Sequence, residues 1–166
     1  MTAVLTARTP RQQGGRMTKF PAGGPREPMR LGFTGSQQGM TRHQKLHLPL
    51  IFSQATSFTH GDCIGADAEA ALIADMMGLP TIAHPCNIDA KRANYPSTLV
   101  LPAKPPLYRN VDIVLSCDML VAAPHNAIER QRSGTWYTIR KALFYGRKMI
   151  VLFPDGRFEV YSGRNH

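Results

Sequence analysis

Apolar positions along the chain fall in short runs that alternate with helical stretches and glycine-bearing loops. Residues 30–36, Arg-Leu-Gly-Phe-Thr-Gly-Ser, read as a first strand leaving into a tight turn. Thr41 is a suitable N-cap for a helix over 42–56, within which Pro49 predicts a kink or a late start. Residues 57–60 form a short second strand. The stretch 66–77 has the clearest helical period: Ala68, Leu72, Ile73 and Met76 form an apolar stripe, and Gly78 and Pro80 end it. A third strand follows over 81–84. Five prolines between 85 and 106 then predict a long irregular excursion.

The pattern resumes with a short helix over 109–116, a strand over 119–123, a polar loop over 125–132 and a helix over 135–145. A strand over 149–153, a Pro-Asp-Gly turn over 154–156 and a last strand over 158–161 complete the chain. Continuous apolar strands alternating with helices predict an α/β fold, Rossmann-like and doubly wound, whose mainly parallel sheet carries helices on both faces. In such a sheet ligands sit at the carboxyl ends of the strands. Three glycine-containing loops occupy positions of that kind: 34–39, 60–66 and 133–135.

The last of these, Ser133-Gly134-Thr135, opens a helix, where unpaired N–H groups and the helix dipole favour an anion. Gly134 permits close approach to the backbone, while Ser133, Thr135 and Thr138 offer hydroxyls. Simple helix capping by Ser133 and Thr135 is the competing reading. Asp67 is open in the same way: a first-turn acid, a partner for a ribose hydroxyl, or a Mg²⁺ ligand together with Asp62. His60 reads as a buried strand-end histidine, and Trp136 as part core, part stacking surface for a base.

Composition narrows the class. A chain of 166 residues with 43% hydrophobic and 19% charged content suits one folded domain, and no apolar run is long enough to span a bilayer. With no apolar leader segment, the cytoplasm is the expected compartment. Cys63, Cys86 and Cys117 lack paired metal-knuckle spacing and read as buried thiols. His43, His47, His84 and His125 likewise show no zinc-like spacing, so no metal site is expected among them. The net charge of +9 divides unevenly: residues 1–29 carry five basic residues against Glu27, a net +4, leaving +5 for the rest. The segment 1–29 is thus expected to be a disordered basic tail, with 30–166 as the folded, nucleotide-binding domain. The overall balance favours anionic ligands and keeps nucleic acid in view as a lesser alternative.

Five pieces in order carry a family resemblance. They are Gly32-Phe33-Thr34-Gly35-Ser36, His60-Gly61-Asp62-Cys63-Ile64-Gly65-Ala66-Asp67, Arg109-Asn110 ahead of 117–122, Ser133-Gly134-Thr135-Trp136-Tyr137-Thr138, and Ile150 to Gly156. Together they resemble the SLOG superfamily of Rossmann-like nucleotide-binding proteins over about residues 30–156. The resemblance implies a nucleotide-derived ligand with its phosphates at the glycine loops, and self-association as a homodimer. One branch, the LONELY GUY phosphoribohydrolases, cleaves nucleoside monophosphates using Pro-Gly-Gly-x-Gly-Thr-x-x-Glu and an upstream Arg. Arg109 stands at that Arg, but Thr138 stands at the Glu and the double glycine is absent. Such hydrolysis needs a carboxylate, for which Glu129, Asp62 or Asp67 would have to serve. The Ser-Gly-Thr variant is also similar to the DNA-processing protein A family, which binds single-stranded DNA.

The resulting expectation is a nucleotide-like small molecule held by Gly35, Ser36, Gly61, Asp62, Gly65, Asp67, Arg109, Ser133, Gly134, Thr135 and Thr138. Nucleotide N-glycosidic hydrolysis with Arg109 and Glu129 is the alternative, and single-strand binding the second alternative.

Overall fold

The computed structural model describes residues 27–164. The expected basic tail therefore lies outside the described residues, apart from Glu27, Pro28 and Met29. Met29 already belongs to the domain, because it packs against the core and its carbonyl accepts the Thr56 N–H at 2.8 Å.

Seven strands form one sheet: β1 (Arg30–Gly35), β2 (Ser57–His60), β3 (Thr81–Ala83), β4 (Leu99–Val100), β5 (Met119–Ala123), β6 (Lys148–Leu152) and β7 (Phe158–Tyr161). Their order is β4-β3-β2-β1-β5-β6-β7. The first six run parallel, and β7 closes the edge antiparallel to β6. Four helices connect them: α1 (Arg42–Phe52), α2 (Ala66–Met76), α3 (Pro106–Ser116) and α4 (Gly134–Phe144). This is the Rossmann-like arrangement that the strand and helix pattern predicts.

Side chains of β5 show why both faces must be covered. Val121 and Ala123 enter one core with α1 and α2, while Leu120 and Ala122 enter a second core with α3 and α4. A strand buried on both sides reads as one unbroken apolar run, and β5 does.

The elements depart from expectation in four places. Helix α1 runs through Pro49 and stops at Phe52, not at 56: the Gln54 and Ala55 N–H groups bond only three residues back, to Ile51 and Phe52, and Thr56 turns toward Met29. In α2 the buried side is Ala66, Ala70, Ala71 and Ala74, whereas Leu72 and Met76 of the expected stripe are exposed. The reason is proximity: a Cβ on Gly35 would lie 2.5 Å from the Ala66 Cβ, so only small side chains fit between α2 and the sheet. Helix α3 starts three residues early, at Pro106, since proline has no N–H to lose in a first turn. The excursion 85–106 is not wholly irregular either. It holds a 3₁₀ turn at Asp89–Lys91 and the two-residue strand β4 on the edge beside β3.

Thr41 caps α1 as its sequence predicts, in a reciprocal pair with Gln44. Gln44 goes further: its buried amide donates to the carbonyls of Pro124 and Leu152 at 2.9 and 2.8 Å, tying the ends of β5 and β6 together.

Candidate functional site

Between β1 and β5 the strand order reverses. The chain leaves β1 toward β2 on one side and β5 toward β6 on the other, so the loops that follow these strands diverge and leave a crevice. A cleft of about 540 Å³ occupies that position. Its floor is the end of β1, Thr34 to Ser36. One wall comes from the start of α2, and the other from α3 and the first turn of α4.

The first turn of α4 presents Ser133, Gly134 and Thr135 to the cleft. Ser133 Oγ caps the helix by accepting the Trp136 N–H at 3.3 Å, so the capping reading of Ser133 holds alongside its place in the wall. Gly134 has open space where a side chain would stand; the nearest atom is Asn110 Nδ2, 3.9 Å from that position. Thr138, one turn further, is fully buried, and its hydroxyl donates to the Gly134 carbonyl at 2.8 Å. It supports the turn from behind and does not line the cleft.

Arg109 is the centre of the second wall. Only 4% of it is exposed. Nη1 donates to the carbonyls of Gly61 and, at 2.9 Å, His84, joining the ends of β2 and β3. Nε donates to Asn110 Oδ1 at 2.7 Å and Nη2 reaches Cys63 Sγ at 3.3 Å. Most of its five donors are thus used inside the protein. What the cleft receives is chiefly its fixed charge.

Asp67 faces the same space from α2 and is 4% exposed. Its Oδ2 accepts the backbone N–H groups of Gly61 and Cys63 at 3.1 and 3.2 Å. Burial pushes its carboxyl up to about 6, against the opposing pull of Arg109 and the two amides. Gly61 is where the two charged residues meet: a Cβ there would lie 2.7 Å from Arg109 Nη1 and 2.8 Å from Asp67 Oδ2. Burial likewise raises the Cys63 thiol to about 11, so this thiol at the cleft edge stays protonated at neutral pH.

Of the residues expected from sequence, Gly35, Ser36, Asp67, Arg109, Ser133, Gly134 and Thr135 come together in the cleft wall. Gly61 and Gly65 stand just behind it, the latter as the N-cap position of α2. Asp62 turns away. It accepts the Tyr95 N–H at 2.9 Å and lies 3.6 Å from Arg92 Nε, so its carboxylate anchors the excursion. Glu129 pairs with Arg140 at 2.9 Å on the exposed loop and is not part of the lining. His60 is fully buried, held neutral by burial with its pKa near 4, and its Nδ1 accepts the Asp62 N–H.

Lys91, Asn110, His125 and Asn126 line the cleft without having been singled out as ligand contacts. Lys91 comes from the proline-rich excursion. The proximity of Asn110 to Arg109 was visible, but only its bond to Nε shows which way its amide faces. All three cysteines are free and buried. Among the described residues no helix is long and apolar enough to cross a membrane, and no group of three or more His, Cys, Asp or Glu residues is placed to hold a metal ion.

No protein-family model and no curated protein matches the chain. Among solved structures, the molybdenum cofactor binding protein from the phototrophic bacterium Rippkaea orientalis is similar, with a TM-score of 0.61 and 20% identity over 78% of each chain. At that identity the likeness establishes the fold.

Proposed function

We propose that the cleft binds a nucleotide or a nucleotide-derived phosphorylated small molecule, with phosphate at the first turn of α4. The observation that carries this reading is the opening of Ser133-Gly134-Thr135 onto the switch-point cleft, in the same wall as the buried guanidinium of Arg109. Lys91 and Arg132 add positive charge to the lining, and Asp67 is its one carboxylate among the described residues. That excess suits an anion. Trp136, half-buried and packed against the second core, also lines the cleft and is the aromatic group available there for a flat ring.

The order of the glycine loops supports placing the chain with the SLOG proteins, whose ligands are nucleotide-derived. The similar solved structure is a molybdenum cofactor binding protein, in keeping with a small-molecule occupant here. Native mass spectrometry of freshly purified protein, followed by denaturing release of any bound small molecule, tests the reading. A co-purified phosphorylated nucleoside or related compound is the expected result. Protein that is empty, and that also fails to respond to a nucleotide panel in thermal shift, overturns it and turns attention to nucleic acid.

A further inference from the structure

Two polar side chains in the cleft are half used by the protein and half left over. Asp67 commits Oδ2 to the amides of Gly61 and Cys63, while Oδ1 makes no hydrogen bond among the described residues. Asn110 commits Oδ1 to Arg109 Nε. An arginine can only donate, so that bond fixes the amide orientation and leaves Nδ2 as a donor directed toward the start of α4. Both groups are held in place before any ligand arrives. The wall near α2 therefore presents a fixed acceptor, and the wall near α4 a fixed donor.

From this pairing we propose that the cleft selects a phosphorylated ligand bearing a sugar hydroxyl: Asn110 Nδ2 assists α4 in holding the phosphate, and Asp67 Oδ1 accepts the hydroxyl. The proposal rests on the phosphate-binding reading above and adds the second contact. A hydroxyl suits Asp67 better than a divalent cation does. Such an ion needs several oxygen ligands, and Asp62, the other carboxylate of this loop, is already taken by Tyr95 and Arg92. A cationic amine is disfavoured by Arg109, Lys91 and Arg132 in the same lining. A ligand lacking the hydroxyl would leave Oδ1 desolvated and unmatched, and this is how a site built around a hydrogen bond rejects an analogue.

Isothermal titration of the full chain with adenosine, guanosine, cytidine and uridine 5′-monophosphates, their 2′-deoxy and 3′-deoxy counterparts, and inorganic phosphate tests this. Wild-type protein should bind the ribonucleotide of the preferred base at least about tenfold more tightly than one of its two deoxy forms. In Asp67→Asn that ratio should fall to about one, whatever happens to absolute affinity; the Asn can still accept from Gly61 and Cys63, so the loop is retained. Asn110→Ala should weaken every phosphorylated probe, inorganic phosphate included, and leave the ratio intact. Equal binding of ribo and deoxy forms by the wild type overturns the proposal while the phosphate reading stands. Should Asp67→Asn misfold, the wild-type ratios still decide. If none of the phosphorylated probes binds, the phosphate reading itself fails.

Discussion

The backbone N–H of Tyr95 donates to Asp62 Oδ1 at 2.9 Å, fastening the proline-rich excursion to the end of β2. Asp62 does this from a left-handed backbone conformation, φ 53°, which few residues other than glycine, asparagine and aspartate adopt without cost. Asp62→Ala removes the acceptor and keeps the strained backbone. Loss of about 2 kcal/mol of stability is expected, with faster hydrogen exchange at the Tyr95 amide. Denaturant unfolding and exchange mass spectrometry measure both, and Asp62→Asn should recover most of the loss.

Arg109, proposed as a ligand residue, is first of all a brace. Replacing it with alanine leaves the buried carbonyls of Gly61 and His84 without that donor. A cost of about 2–4 kcal/mol follows. Arg109→Lys restores charge but not the fork that reaches both strands, Asn110 and Cys63, so its stability should fall between the two. A variant as stable as the wild type would mean the bracing contacts are not formed.

His60 and Asp67 should oppose each other in acid. Burial lowers the His60 pKa from 6.5 to about 4, so the unfolded chain takes up that proton first. Stability from His60 is therefore lost as pH falls from about 6.5 to 4. His84 is shifted in the same direction, again chiefly by burial. Asp67, raised from 3.8 to about 6, is protonated earlier in the fold as pH falls, so the cost of burying its charge eases through the same range. Asp67→Asn should leave the histidine effect unopposed and steepen acid destabilisation by about 2 kcal/mol between pH 6.5 and 4. Denaturation midpoints across that range give the slope; profiles parallel to the wild type would refute the opposition.

Gly61→Ala tests the closeness of Asp67 and Arg109. Its methyl would press on both charged groups at once, with a strand end and a buried guanidinium unable to retreat. Destabilisation of about 2 kcal/mol and weakened nucleotide binding should appear together. Thermal unfolding with and without a bound mononucleotide separates the two effects.

The sequence made the buried strands easy to read because both their faces are covered: β5 and β6 are plain apolar runs. It misled on α2, where the large apolar residues suggest one face and the alanines take the other, since helix-to-sheet distance is a tertiary fact with no local signature. Proline misled in two ways: Pro49 sits inside a helix and Pro106 begins one. That Asp67 and Ser133 to Thr135 would face one cleft was legible because helix starts after strands have recognisable residues, while Arg109 was singled out only by the family resemblance. Lys91 and Asn126 were not, because single residues from separate loops reach the cleft only once the sheet has assembled. Nor could spacing reveal that Asp62 faces Tyr95 and Glu129 faces Arg140.

The antiparallel edge strand also decides where the domain can be joined to something else. Because β7 reverses on β6, Tyr161 pairs with Met149 near the start of β6, and Arg30 begins β1 at that same end of the sheet. Both described ends of the chain thus emerge on the side opposite the cleft mouth. A module joined directly at Glu27 or Arg164 starts on the side away from the opening, so a domain immobilised through those points would hold the cleft outward for whatever diffuses in.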